Sequence, residues 1–440
     1  MRLAQEVQLS IIDSFSEHEL GVQLRDLSRL IDQHPQLIDA VHQDLSANNC
    51  RATGRKGLTS ESVLRCMILK QLFQYSYDAL AFHLSDSLSL RAFAKLPINI
   101  APKKSSLQAS IRRIQPETLK LMNDEFIRCS LKNKEISMNN LRIDSTVVES
   151  NIAPPSDSQL LNDCIRVLSR TMAKSKTITG IKLRFTDQRK AAKTLAFTIF
   201  NAKKAEKDRL YPELIKVAQL VVDQVDRALD RIDYGQQAFR DQLDHYQDLL
   251  KQVIDQTTRR VILGEKVPSS EKLVSIFEPH TDIIIKGFRD IQYGHKVNIA
   301  SEVSGFITYA SIEQGNTSDK DLYLPVLQAH QENYGRLPER TIADGGYASH
   351  KNVMSGRELG LKSAAFSKPV GMSLTDMGLK KKTFTRLKHF RAGVEGNISE
   401  LKRTFGCSVA RWKHWDGFQA FVWASILSYN LRRMMRHNSS

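Results

Sequence analysis

The stretch Asn140–Ser150, NLRIDSTVVES, stands between two long parts of the sequence with helical patterns. Its β-branched residues favour an extended chain, and its polar and apolar residues alternate with the two-residue period of a strand. Arg142, Asp144 and Thr146 then share one face, opposite an apolar face. The stretch therefore predicts a strand with an aspartate in its middle, and this strand makes the fold class α/β.

The regions on either side of this strand are predicted to be helical. Before it, apolar residues recur at three- and four-residue steps as far as about residue 131. After it, between about residues 157 and 264, the chain is almost free of Gly and Pro and contains amphipathic stretches such as ELIKVAQLVVDQVDRALDRI, residues 213–232. Strand-like segments return only beyond this region, at residues 272–278, 281–287, 295–315 and 340–348. Two helices joined by a turn complete the chain.

A strand separated from its partners by more than a hundred helical residues indicates a domain with a helical insertion. We predict an N-terminal helical segment at 1–54 and a helical domain at 55–135. The α/β domain combines residues 136–156 with residues 266–440, and the helical insertion occupies 157–265.

The composition is that of a globular protein with a strong positive charge. The net charge of +16 and the pI near 9.5 indicate a polyanionic partner, with nucleic acid first among the candidates. The sequence has no run of eighteen apolar residues and no signal-peptide pattern at its start, so we expect a cytoplasmic protein without a membrane span. Five widely separated cysteines without a Cys-x-x-Cys pair predict neither a disulfide framework nor a zinc site.

Three acidic residues stand where a ligand site can form. Asp144 lies in mid-strand, where an aspartate is unfavourable unless its face is exposed or the carboxylate has a partner. Asp344 ends an apolar strand and precedes two glycines, which is common both for ligand residues of α/β proteins and for simple turns. Glu395 belongs to the predicted helix HFRAGVEGNISELKRTFG, residues 389–406, in the most basic part of the chain.

Glu395 shares a narrow helical stripe with two cations. Arg391 precedes it by four residues and Lys402 follows it by seven, so both lie within about 40° of it around the helix. These residues can form ordinary surface ion pairs, or the cations can hold phosphates beside a carboxylate that binds metal. Three carboxylates on a strand, a strand end and a helix suit a two-metal phosphodiester site, because Mg²⁺ prefers carboxylate oxygens.

The segments around the three acids resemble the acidic motifs of DDE-type transposases of bacterial insertion sequences. These segments are LRIDSTVVESNI, TIADGGYAS and RAGVEGNISELK, at residues 141–152, 341–349 and 391–402. The last one contains R-x3-E-x6-K, most of the family's Y-R-E-K signature, but Lys388 stands where the signature has tyrosine. Residues 144–161 and the helical stretch after them are most similar to the group named ISNCY.

This resemblance implies an RNase H-like α/β domain with a large helical insertion, preceded by an all-helical region that binds DNA. It implies that Asp144, Asp344 and Glu395 bind two Mg²⁺ ions, with Mn²⁺ as a substitute. The protein would nick double-stranded DNA at the ends of its element and join the freed 3′-hydroxyls to target DNA. It would act at the nucleoid as a homodimer or a larger assembly. The alternatives are an inactive DNA-binding protein and a metal-dependent nuclease without strand transfer.

We also predict a set of DNA contacts from cations and one aromatic ring. The residues are Arg391, Lys402, Lys388, Arg411, Trp412, Arg112 and Arg113. Basic side chains on a surface hold phosphates without reading sequence. A tryptophan among cations either stacks on an unpaired base or belongs to the core, and both readings stay open for Trp412. Trp423 lies in an apolar helix and is expected in the core.

Overall fold

The computed structural model describes residues 3–5, 15–47, 57–97, 99–286, 290–368 and 371–438. The predicted boundary between residues 54 and 55 falls outside them. The chain divides into two compact units, Met1–Glu149 with His295–Ser440, and Ser150–Gly294. The predicted insertion, 157–265, lies inside the second unit, and the domain limits themselves stay predictions.

The described residues form helices and strands with the following limits. The helices are α1 (Glu19–Asp32), α2 (Pro35–Ser46), α3 (Ser60–Leu72), α4 (Tyr77–Asp86), α5 (Leu88–Phe93), α6 (Lys104–Ile111), α7 (Pro116–Lys132), α8 (Asp157–Ala173), α9 (Ser175–Thr179), α10 (Arg189–Asn201), α11 (Lys204–Leu229), α12 (Gln237–Thr257), α13 (Tyr323–Tyr334), α14 (His350–Leu359), α15 (Lys381–Thr404) and α16 (His414–Asn438). The strands are β1 (Asn140–Ser150), β2 (Asp282–Lys286), β3 (Asp290–Ser301), β4 (Ile307–Ile312), β5 (Arg340–Ala343), β6 (Ser363–Phe366) and β7 (Val409–Ala410).

The helix α3 is the centre of the N-terminal helical region. It begins after Thr59, whose hydroxyl accepts a hydrogen bond from the Ser62 N–H at 3.1 Å and so caps the helix. Almost every residue of α3 is buried, because α2, α6 and α16 pack around it. The core of these helices continues into apolar residues of β3 and β4. The first unit therefore combines an all-helical N-terminal region with a mixed α/β region, as the sequence predicts.

In the first unit the strands follow the order β3–β1–β5–β6, β4 pairs with β3, and β7 pairs with β1. The strands β1 and β5 are parallel, with Asn140 opposite Arg340 and Ile143 opposite Ala343. The strands β5 and β6 are also parallel, whereas β3 and β4 are antiparallel. This mixed sheet places the predicted first strand beside a strand that comes almost two hundred residues later in the chain.

One predicted strand is wrong. Residues 272–278 form no strand, although three of their apolar side chains are buried, those of Leu273, Val274 and Ile276. The Gln256 side chain supplies the hydrogen bonds that a neighbouring strand would give, since its Oε1 accepts from the Leu273 N–H at 2.9 Å and its Nε2 donates to the Leu273 carbonyl at 3.2 Å. The segment is thus a buried irregular stretch that covers helices.

The second unit consists mainly of helices. Each of α8, α10, α11 and α12 turns an apolar stripe toward a shared core, which includes Leu161, Val221 and Leu250. In the same unit, β2 pairs antiparallel with the first residues of β3, and Asp282 lies opposite Gly294. Among the described residues of the whole chain, no helix has the length and apolar character that crossing a membrane requires.

Candidate active site

The parallel pairing of β1 and β5 brings two of the predicted acids side by side. Ile143 lies opposite Ala343, and Asp144 and Asp344 are the next residues of their chains. Both carboxylates therefore stand at one level of the sheet, where β5 ends. In α/β proteins, ligand residues collect at the carboxyl ends of parallel strands.

The helix α15 adds the third acid through one arginine. The Arg391 Nη2 atom lies 3.0 Å from Asp144 Oδ2 and 3.2 Å from Asp344 Oδ1. Its Nη1 atom lies 3.1 Å from Glu395 Oε1, one turn further along the same helix. The three predicted acids therefore converge around a single guanidinium group. The helical stripe indicated only the contact with Glu395, because the two aspartates are distant in sequence.

Asp144 is the least exposed of the three carboxylates. Its side chain is 16% exposed, against 44% for Asp344 and 64% for Glu395. Burial raises the pKa of Asp144 above its usual value, and the two neighbouring carboxylates add to this rise. Arg391 and the Ser145 N–H, which lies 2.8 Å from Oδ1, lower the pKa of Asp144. A cation beside Asp144, here Arg391, therefore stabilises its ionised form.

Asp344 is held by the loops around it. The Ser367 hydroxyl donates a hydrogen bond to Oδ1 at 2.9 Å, and the Gly345 N–H donates to the same carboxylate. Burial by itself raises the pKa of Asp344, but these two bonds and the cations Arg391 and Lys368 outweigh it. The pKa of Asp344 consequently lies below its usual value, and the group is a carboxylate at neutral pH.

Arg142 fastens α15 to β1, two residues before Asp144. Its Nε donates to Ser301 Oγ at 2.9 Å and its Nη1 donates to the Phe390 carbonyl at 3.2 Å. Its guanidinium carbon also lies 4.9 Å from the centre of the Phe390 ring. Gly393 allows this approach, because a Cβ atom there would lie 1.8 Å from Arg142 Nη1. The two-residue period places Arg142 on the same face as Asp144, but sequence reasoning missed its contact with α15.

A fourth acid, Asp319, which the sequence motifs did not reveal, lies next to the cluster of Asp144, Asp344 and Glu395. Asp319 Oδ1 accepts a hydrogen bond from Lys296 Nζ at 2.9 Å and another from the Ser145 hydroxyl at 3.3 Å. Gly346 packs closely against it, since a Cβ atom there would lie 2.7 Å from Asp319 Oδ2. The pairing with Lys296 compensates the charge of Asp319, so this acid supports the residue after Asp144. Its only sequence signal is the polar segment SDKD, residues 318–321.

The donor atoms of the cluster suit a hard divalent cation. Asp144, Asp344 and Glu395 offer carboxylate oxygens, which Mg²⁺ and Mn²⁺ prefer to nitrogen and sulfur ligands. One arginine faces three acids, and this excess of negative charge contributes to the raised pKa of Asp144. The cluster therefore has both the ligand type and the charge that bound divalent ions require.

The remaining predicted DNA contacts lie outside the carboxylate cluster. The exposed cations are Lys388, Arg411 and Arg112, and the half-buried ones are Lys402 and Arg113. Lys388 is on α15, one turn before Arg391, with its ammonium 5.8 Å from the centre of the Phe384 ring. Their contact with DNA stays a prediction.

Trp412 lies in the core, which favours the core reading of this residue over stacking on a base. The side chain is 5% exposed, and its ring packs edge-on against Phe421 with the ring centres 6.0 Å apart. Lys70 lies over the same ring at 5.9 Å. A base requires an open ring face, and this environment leaves none. Trp423 is buried, as its apolar helix predicts.

A second group of ligand-type atoms occurs in the N-terminal helical region. One ligand atom from each of His34, Glu125 and Cys129 lies within 4.8 Å of the others. Sequence spacing could not reveal this group because His34 and Cys129 are far apart in the chain. Burial raises the pKa of the Cys129 thiol, and Arg128 forms an ion pair with Glu125. We therefore assign no metal to these residues.

Comparison with known proteins identifies the family to which this site belongs. The family described as Transposase DDE domain matches residues 289–431, which include Asp344 and Glu395, and the family described as Transposase domain (DUF772) matches residues 12–113. No curated protein and no solved structure matches the chain. The DDE match begins after Asp144, which the pairing of β1 with β5 brings to the other two acids. The two family matches, one in the N-terminal part of the sequence and one in the C-terminal part, together indicate a DDE transposase of an insertion sequence.

Proposed function

We propose that this transposase is catalytically active: it binds the ends of its own insertion sequence, nicks them by metal-dependent hydrolysis and joins the 3′-hydroxyl ends to target DNA. The observation that carries the proposal is the convergence of Asp144, Asp344 and Glu395 around Arg391. Each acid comes from a different element of the fold, so ordinary local ion pairing does not account for the cluster.

In this proposal the three acids hold two Mg²⁺ or Mn²⁺ ions, which when bound activate the attacking oxygen and stabilise the leaving one. Asp344 offers an ionised carboxylate because its hydrogen bonds and nearby cations lower its pKa. Arg391 pairs with the three acids in the free protein and is placed to contact a phosphate of the cleaved strand when DNA is bound. Arg142 and Gly393 keep α15 at the correct distance from β1.

We further propose an RNase H-like fold for the α/β region, an ISNCY-like relationship, and a dimer or larger assembly on paired double-stranded DNA ends in the cytoplasm. The mixed sheet, with Asp144 in its first strand and Asp344 at the end of the parallel neighbour, supports the fold assignment. An assembly is expected because both ends of an element must be cut and joined together. The net charge of +16 supports DNA as the partner.

The test is a nicking and joining assay on labelled DNA that carries the ends of the element. We expect nicks in Mg²⁺ or Mn²⁺ and none in EDTA. Glu395→Gln removes one carboxylate charge and is expected to lower the nicking rate by roughly 100-fold or more, the range for loss of a group that stabilises charge in a transition state. The matched control is Glu400→Gln on the same helix, where Glu400 pairs with Arg433 at 2.9 Å.

The outcomes separate the proposal from its two alternatives. Nicking by Glu395→Gln at the wild-type rate would show that Glu395 is not catalytic. Binding of the ends without nicking in either metal would indicate an inactive DNA-binding protein. Nicking without any joined product would indicate a nuclease. Glu400→Gln should nick like the wild type, and a loss equal to that of Glu395→Gln would point to damage of α15 as a whole.

A further inference from the structure

The second unit contains a groove that the proposed chemistry does not use. Its volume is about 930 Å³, and it is lined mainly by α8, α10 and the chain that leads into each of them. Five cations and two acids line it: Arg166, Arg170, Arg189, Lys190, Lys193, Asp163 and Asp187. The groove therefore offers an excess of positive charge in a concave site within the helical unit.

The positive charge of this groove is only partly neutralised. Arg166 pairs with Asp163, and Arg189 pairs with Asp187 through contacts of 2.6–2.9 Å. In the part of the chain that the structure describes, no ion pair forms with the other three cations of the lining, which are Arg170, Lys190 and Lys193. All three are exposed. Between residues 166 and 204 the sequence has eleven Lys and Arg but a single acid, Asp187.

Two phenylalanines stand in the same groove with their rings in solvent. Phe197 is 70% exposed and Phe200 is 74% exposed. With Lys190 and Lys193 they follow a spacing of three, four and three residues along α10, which is one face of a helix. Exposed phenyl rings side by side are unusual on a protein surface and indicate a binding partner for this face.

We propose that this groove binds single-stranded DNA, with the cations holding the backbone phosphates and the two phenyl rings stacking on bases. Single-strand binding sites combine a basic groove with aromatic rings in this way. Bases in a duplex present only their edges, so the open ring faces favour an unpaired strand such as a frayed or cut end. A run of cations with one acid also favours a polyanion over a protein surface. The inference rests on the proposed function only in naming DNA as the polyanion.

The experiment measures binding by fluorescence anisotropy with the full chain. The probes are a single-stranded oligonucleotide of about sixteen nucleotides, one site of a typical single-strand binder, and a duplex of the same length. The first variant is Phe197→Ala with Phe200→Ala, and the second is Arg170→Ala with Lys193→Ala. The matched control is Lys216→Ala with Leu220→Ala, an exposed cation and an exposed apolar residue one turn apart on α11.

We expect the phenylalanine variant to bind the single strand at least about tenfold more weakly, since each lost stack removes a sizeable share of the affinity. Its affinity for the duplex should stay within about twofold of the wild type, because duplex bases give the rings nothing to stack on. The cation variant should weaken binding and reduce the salt dependence of single-strand binding by about 1.4 in the slope of log K against log salt, for two lost phosphate contacts. The control should match the wild type.

Single-strand binding by the phenylalanine variant at the wild-type affinity would overturn the proposal. If that variant also forms a smaller assembly in light scattering, the two rings are a surface between copies of the chain. Asp144→Asn separates this inference from the proposed function: nicking should be lost while single-strand binding stays unchanged. Nicking that survives in Asp144→Asn would contradict the active site and leave the groove result standing.

Discussion

At the scale of single residues, the candidate active site depends on a glycine that carries no chemistry. Gly393 lies in α15 directly against the Arg142 guanidinium, which Ser301 and the Phe390 carbonyl hold in place. Any side chain at this position must push the guanidinium away or lift α15 from β1. The same helix carries Glu395 two residues further on, so the space at Gly393 and the position of the third acid are coupled.

Replacement of Gly393 by alanine tests this coupling. The added Cβ would lie 1.8 Å from Arg142 Nη1, and the guanidinium cannot yield without losing its hydrogen bonds. We expect a loss of about 1–3 kcal/mol in the free energy of unfolding, the usual cost of overpacking, measured by urea denaturation. The control is Gly396→Ala on the same helix, where nothing lies within 4 Å of an added Cβ. Because alanine is the better helix former, this control should stabilise the protein by about 0.5–1 kcal/mol. Equal effects of the two substitutions would contradict the packing argument.

At the scale of elements, buried charge holds the N-terminal helices together. Arg65 in α3 has a fully buried side chain and lies 2.7 Å from Asp32 Oδ1 at the end of α1 and 2.9 Å from Glu61 Oε1 on its own helix. Lys95 contacts the same two acids at 2.5 and 2.7 Å. The N-terminal region, which the family comparison assigns to transposases, thus orients α1 against α3 through one ionic cluster. Burial lowers the pKa of Arg65, and the two acids oppose this shift.

The two cations of this cluster should differ in their effect on stability. Arg65→Met leaves Glu61 buried beside a single partner, and we expect a loss of roughly 3 kcal/mol in the free energy of unfolding. Lys95→Met removes a cation that is 32% exposed, and we expect a loss below about 1 kcal/mol. Urea denaturation of the two variants checks this order. A larger loss for Lys95→Met than for Arg65→Met would show that burial does not decide the strength of these pairs.

At the scale of the whole molecule, sequence reasoning recovers the elements but not their contacts. The order of helices, strand, helical stretch and strands can be read from periodicity, and the three acids can be read from their motifs. The contacts of Arg391 and Arg142 depend on how β1, β5 and α15 pack together, and no local sequence pattern predicts that packing. The segment 272–278 has the pattern of a strand, yet the Gln256 side chain takes the place of a partner strand. Trp412 likewise contacts Lys70 of α3, which is distant in sequence, so its burial cannot be read from the local pattern.

The stability of the molecule in acid should depend on one buried histidine of the α/β region. His330 in α13 is fully buried, its Nδ1 donates to the Val326 carbonyl at 2.7 Å, and burial lowers its pKa to about 4. The unfolded chain binds the proton near pH 6.5, so this histidine leaves stability unchanged above that pH and destabilises the fold progressively as the pH falls toward 4. Between pH 6.5 and about 4, the full loss of stability is about 3 kcal/mol, because a change of one unit in pKa corresponds to about 1.4 kcal/mol.

His330→Gln removes this titration, so the wild type should lose more stability than the variant between pH 7 and 4, as measured by urea denaturation at each pH. His245→Gln, the same exchange at an exposed position of α12, is the matched control for the loss of a histidine. Parallel pH curves for the wild type and His330→Gln would show that His330 does not set the acid limit, because any shared titration of carboxylates cancels in this difference.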